Sequence, residues 1–158
     1  MRIVADTGPL NYLIQIEAIW ILEHLFTEVI IPAGVIKELM AEAAPVAVRK
    51  WALDLPLWCS VHPASEKRLA PIPGLSSVDL EVLALARANQ DAVILDDFAA
   101  RNAAKQLGLK IIGTLGVVEL AAARKLVNLS QTIAKLKQTN IRISDELYAA
   151  ALARASRS

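Results

Sequence analysis

The sequence predicts an α/β fold, a mostly parallel sheet under helices, and three observations carry that expectation. Short strand-like runs alternate with helical patterns, which implies βαβ units with right-handed crossovers. The composition is 55% hydrophobic, with a mean hydropathy of +0.43, the excess expected of strands buried on both faces. Charges interrupt every apolar run well before the roughly 18 residues that a membrane helix needs. The apolar excess also suits an oligomer or partner interface, and a homodimer is expected. At 158 residues the chain fits one domain with a proper core.

The elements follow in order. "RIVA" reads as the first strand and ends at Asp6, too short a run for a signal peptide. Helical patterns cover 9–16 and 18–26, and "EVIIP" (28–32) is the second strand. Pro32 suits the first turn of a helix over 33–43, since its missing N–H costs nothing there. A helix at 45–54 leads to the strand "LWCSV" (57–61), and prolines, serines and Gly74 make 62–77 a loop. Helix 78–89, strand "AVIL" (92–95), helix 97–107 closed by Gly108, strand "LKII" (109–112) and helix 115–126 come next. Helices near 130–138 and 145–155 finish the chain. Residues 1–126 read as the core and 127–158 as a helical extension of the same domain. Cys59 is the single cysteine, so no internal disulfide forms and a cytoplasmic location is expected.

In parallel α/β sheets, ligands gather beyond the carboxyl ends of the strands. Asp6 closes the first strand, and Asp96 and Asp97 close "AVIL". Asp79 lies in the first turn of helix 78–89 and falls near Val82, Leu83 and Ala86 on the helical wheel, at the end of the core-facing stripe. Glu81 falls off that stripe, toward solvent. Helix 33–43 offers both Glu38 and Glu42, which flank the Val35/Ile36/Leu39 stripe, and the wheel does not choose between them. Singly, each Asp is explained by helix capping; together at one sheet edge they read as a cation site. Clustered carboxylates stay ionised only beside a cation, and all-oxygen ligands suit Mg²⁺ or Mn²⁺. His24 and His62 are isolated, and no Gly-rich phosphate loop competes. Thr7 and Thr114 are placed to support ligand carboxylates. Residues 1–97 hold 7 Lys/Arg against 13 Asp/Glu, whereas residues 98–158 hold 10 against 3. That asymmetry suits a cation site beside a surface that attracts phosphates.

The pieces "VADTGPL", "IPAGVIKEL" (31–39), "VDLEVLALA" (78–86), "VILDDFAAR" (93–101) and "LGLKIIGTLGVV" (107–118) resemble, in order, those of PIN-domain nucleases. The resemblance is to a small prokaryotic subgroup related to the toxins of toxin–antitoxin pairs. It implies a three-layer α/β/α sandwich whose acidic crevice binds Mg²⁺ or Mn²⁺ and cuts RNA, with an antitoxin protein as a partner. Carried over by position, the family's acids fall on Asp6, Glu38, Asp79 and the Asp96/Asp97 pair, which selects Glu38 over Glu42. The family's usual Thr-x-Asp ending aligns Leu95 with the Thr and leans toward Asp97 as the acid. Leu95 lacks the hydroxyl, and "SSV" stands where relatives often carry a Gly-Glu pair.

The resulting expectation is a metal-dependent endoribonuclease in which Asp6, Glu38, Asp79 and Asp97 act, with Asp6, Asp79, Asp96 and Asp97 around the metal. Arg101 and Lys105, one and two turns into the next helix, are placed to contact flanking phosphates. A quiet PIN-like module that binds RNA or protein is the alternative, supported by the apolar stripe Leu147/Tyr148/Ala151/Leu152. A phosphoacceptor receiver domain would need its acid pair after the first strand, and the order here is wrong.

Overall fold

Apolar runs too short for helices pair into one sheet. The computed structural model describes residues 1–157. Its five parallel strands are β1 (Arg2–Ala5), β2 (Glu28–Pro32), β3 (Cys59–His62), β4 (Ala92–Ile94) and β5 (Ile111–Ile112). Their order is β3-β2-β1-β4-β5. In the central strand, Ile3 pairs with Val29 on one side and Ala92 on the other. Ile3, Val4 and Ala5 are all fully buried, so both faces of β1 are covered, as the near-continuous apolar strands predict.

The helices are α1 (Thr7–Gln15), α2 (Ile21–Leu25), α3 (Ala33–Leu39), α4 (Val46–Leu53), α5 (Ser77–Asn89), α6 (Phe98–Gln106), α7 (Thr114–Ala123), α8 (Leu129–Lys137) and α9 (Asp145–Ser156). Among them, α5 lies on β1, β2 and β4 and packs beside α6. In the other layer α1 and α2 pack against α7, and α8 and α9 close over α7. α3 sits against β2 and β3 and touches both α1 and α5. The result is a three-layer α/β/α sandwich.

Several elements differ from their expected bounds, α2 starting at Ile21 and α7 ending at Ala123 among them, and three further differences have a visible cause. The helix expected over 33–43 stops at Leu39, because Ala44 N–H turns back to the Ala41 carbonyl (2.9 Å) and Pro45 disfavours helical geometry before it. Glu42 is exposed in that turn, outside the helix. The third strand slides forward to Cys59–His62, since Cys59 N–H first closes a turn on the Pro56 carbonyl (3.0 Å). "LKII" pairs only over Ile111–Ile112, because Leu109 N–H is taken by the Ala104 carbonyl at the end of α6 (3.0 Å). Gly108 makes that closure with φ of 73°, a left-handed geometry costly for any residue with a Cβ.

From β1 the chain winds outward through β2 to β3, then returns to β4 and winds the other way to β5. The direction reverses between β1 and β4. That switch point opens a crevice beyond the carboxyl ends of the two strands, where Asp6 and Asp96 stand.

Candidate metal centre

Ala5 pairs with Ile94, and the Asp6 N–H continues the ladder to the Ile94 carbonyl at 3.2 Å. Asp6 then stands as the N-cap residue of α1 with extended backbone, yet its side chain makes no capping hydrogen bond. Capping therefore does not explain this carboxylate. It is only 9% exposed, and burial pushes its carboxyl up to about 7. A backbone hydrogen bond from Thr7 opposes the shift, while the charges of Asp79, Glu38 and Asp96 add to it. Acids from α3, α5 and the end of β4 thus lie near enough to the end of β1 for their charges to act on Asp6.

Each of the other three is anchored. Asp96 accepts from the Thr114 backbone N–H (2.8 Å) and from the Thr114 hydroxyl (2.5 Å), which ties the end of β4 to the start of α7. Glu38 accepts the Thr7 hydroxyl at 2.5 Å. Asp79 forms a capping box with Ser76: its Oδ2 accepts the Ser76 N–H (2.9 Å), and its own N–H donates to Ser76 Oγ (3.1 Å). Asp79 is therefore a cap and a member of the crevice at once.

Asp97, toward which the sequence leans, is placed differently. It is exposed, and its Oδ2 caps α6 by accepting the Ala100 N–H at 3.0 Å. Of the pair, Asp96 is the one whose charge Asp6 feels. Glu81 is also corrected: it does not face solvent but reaches α3, where its Oε1 accepts the Gly34 N–H at 3.1 Å. Arg101 donates Nη1 to the Leu95 carbonyl at 2.9 Å, on the rim of the crevice, and Lys105 is exposed one turn further on. Gly113 lets this corner close, since a Cβ there would lie 2.9 Å from Arg101 Nη1 and 3.1 Å from Asp96 Oδ1.

Sequence reasoning did not single out Tyr12, and it read Tyr148 only as part of an apolar stripe. Burial raises the pKa of Tyr12, and the Asp96 charge raises it further. Tyr148 is raised by burial, then by Asp145 and Asp96. Its hydroxyl is buried and has no hydrogen-bond partner among the described residues. The helical spacing of Tyr148 and Ala151 marks the inward face of α9, but nothing local says what that face meets. Leu147 and Leu152, on the same stripe, point outward and are 57% and 39% exposed.

Among the described residues, no three acidic, histidine or cysteine side chains are already gathered closely enough to hold an ion. The donor chemistry nevertheless fits a hard divalent cation. Asp6, Asp79, Asp96 and Glu38 offer only oxygens, and none of the four forms an ion pair among the described residues. Asp6, Asp79 and Asp96 would hold such an ion, with Glu38 at the edge.

Acids at the switch point of a parallel α/β sandwich stand where such folds place their ligand sites. The chain belongs to the PIN-domain family: the DUF3368 family model, described as a PIN domain, matches residues 2–157. PIN domains are generally nucleases and typically use divalent metals. The match shows the PIN-domain family and does not single out a toxin-related subgroup. Among solved structures, the chain is similar to SSO1118, a PilT N-terminus domain protein from the archaeon Sulfolobus solfataricus P2. The TM-score is 0.53 at 13% identity, covering 91% of this chain and 100% of that one, and at this identity the likeness speaks for the fold. No curated protein matches the chain.

Proposed function

We propose that the chain is a metal-dependent endoribonuclease acting at the Asp6 crevice. The observation that carries this reading is Asp6 itself: a buried carboxylate without a side-chain capping hydrogen bond, under the charge of three further acids and in no ion pair among the described residues. A bound Mg²⁺ or Mn²⁺ would supply an activated water and offset charge on the phosphate. Asp6, Asp79 and Asp96 would hold the ion, and Thr114 fixes the orientation of Asp96 through two hydrogen bonds. Glu38, oriented by the Thr7 hydroxyl, orders water at the open side. Arg101 and Lys105 lie along α6 from the crevice and contact phosphates flanking the scissile one. Attack by water on that phosphorus forms one P–O bond as the bond to the leaving oxygen breaks, and the leaving oxygen takes up a proton.

The resemblance to toxin-related PIN proteins extends the proposal to a toxin held in check by an antitoxin protein, with a homodimer as the assembled form. No described helix is long and apolar enough to cross a membrane. The competing reading, a module that binds RNA or protein without cutting, draws on the outward apolar side chains Phe98 and Leu147, 78% and 57% exposed.

Cleavage of a labelled RNA pool tests the proposal, comparing Mn²⁺, EDTA, and Asp6→Asn in Mn²⁺. Cutting is expected only from the unmutated chain with metal. Intact RNA under every condition, with no heat of Mn²⁺ binding by calorimetry, would leave the binding-module reading.

A further inference from the structure

The crevice is flanked by two cavities of unlike chemistry. On the Asp96 side, a cavity of about 510 Å³ has Phe98, Arg101, Arg142 and Leu147 in its wall. On the other side, a cavity of about 610 Å³ starts at Thr7 and Glu38 and passes Asn11, Gln15, Gln138 and Asn140. A further cavity of about 350 Å³ shares Gln15 and Gln138 with it and adds Lys135, with Glu17 in the same wall. A groove therefore leads from the acids, past a row of amides, to a lysine.

The amides are not consumed by the fold. Gln15 Nε2 donates to Asn11 Oδ1 at 3.0 Å, a bond that uses neither the Gln15 side-chain carbonyl nor the Asn11 amino group, and both residues line the groove. Gln138 and Asn140 are exposed, at the end of α8 and in the link to α9. The larger cavity has no lysine or arginine among its lining residues, so it does not grip phosphate by charge. Uncharged side chains that both donate and accept are suited to the edges of unstacked bases. The cations lie at the two ends: Arg101 and Arg142 beyond Asp96, Lys135 beyond Gln138. Cations spaced along a path with amides between them match a polyanion whose bases are read in the middle.

We propose that this groove is the base-reading subsite for a single-stranded RNA that crosses the crevice, an inference that rests on the ribonuclease reading. The scissile phosphate lies over Asp6 and Asp96. The nucleotide on the Glu38 side turns its base edge to Asn11, Gln15, Gln138 and Asn140, and a later phosphate reaches Lys135. The arginine side holds the strand without regard to sequence.

The test is fluorescence anisotropy with the full chain in EDTA and labelled single-stranded RNA octamers of A, C or U. The unmutated chain is expected to separate its best and worst octamers by about fivefold or more, the lower end of what one well-made amide–base pair supplies. Gln138→Ala/Asn140→Ala should bring the three within about twofold while the salt dependence of binding stays the same. Both residues are exposed, so the fold tolerates the change. Arg142→Ala should weaken all three octamers alike. Equal binding by the unmutated chain overturns the proposal. So does a preference that survives both the double variant and Asn11→Ala/Gln15→Ala. If the preference fails while Mn²⁺-dependent cutting still needs Asp6, the subsite alone is wrong; if no octamer binds and no RNA is cut, the ribonuclease reading falls and takes the subsite with it.

Discussion

Two neighbouring aspartates at the end of β4 show how much a single side-chain direction decides. Asp96 is held by Thr114 and faces Asp6, whereas Asp97 caps α6. Asp96→Asn is therefore expected to lower Mn²⁺-dependent cleavage on the order of 100-fold or more, with the variant still folded by circular dichroism. Asp97→Asn should leave cleavage within a few-fold, because Asn caps as well as Asp, while Asp97→Ala should cost about 1 kcal/mol in urea unfolding. Equal losses from Asp96→Asn and Asp97→Asn would undo this assignment. The sequence shows that acids stand at these strand ends, but it does not separate the pair. The choice depends on Thr114, brought alongside by β5, and pattern within "VILDDF" carries no trace of that partner. Asp6 is legible for the opposite reason: an acid directly after an apolar strand needs only the fold rule to be placed.

At the scale of elements, the join between α3 and α5 sets where Glu38 and Asp79 stand relative to each other. Glu81 accepts the Gly34 N–H in the first turn of α3, whose N-terminal amides otherwise lack partners. A Cβ on Gly34 would collide with the Glu81 carboxylate. Glu81→Ala is expected to cost about 1–2 kcal/mol, measured by urea unfolding, and to lower cleavage by loosening α3 and hence Glu38. Glu81→Gln should recover most of the stability, since its carbonyl still accepts. A stability unchanged by Glu81→Ala would mean the contact is idle. The wheel for α5 correctly sorts its core face yet sends Glu81 to solvent, because a wheel describes one helix and the partner comes from another. The short third helix is missed for a similar reason: the pattern Val35, Ile36, Leu39, Met40 carries no sign of the turn that Ala44 closes on Ala41 just beyond it.

For the whole molecule, the alternation of strands and helices makes the sandwich legible, but not the strand order that puts β1 beside β4. That juxtaposition creates the crevice and its charge, with a consequence for stability. In the unfolded chain a carboxyl like Asp6 titrates near 3.9, whereas in the metal-free fold it holds its proton up to about 7. Between those values the folded state binds more protons, so its stability is fullest below about pH 4 and falls as pH rises toward 7, by an amount on the order of a few kcal/mol. Without metal, Asp6 should thus favour pH 5 over pH 8 in thermal melts. Saturating Mn²⁺ should reverse the sign, and Asp6→Asn should abolish both effects. A metal-free melting temperature that Asp6→Asn leaves equally pH-dependent would count against this account. The same juxtaposition has a temporal side. The N–H of Asp6 bonds to the Ile94 carbonyl, Asp96 is fastened to Thr114, and the Asp96 charge reaches Tyr148 in α9. A chain emerging from the ribosome carries its acids long before it owns the strand, the threonine and the tyrosine that arrange them. The acids come early in the chain, and the arrangement that gives them a joint role comes only with these later elements.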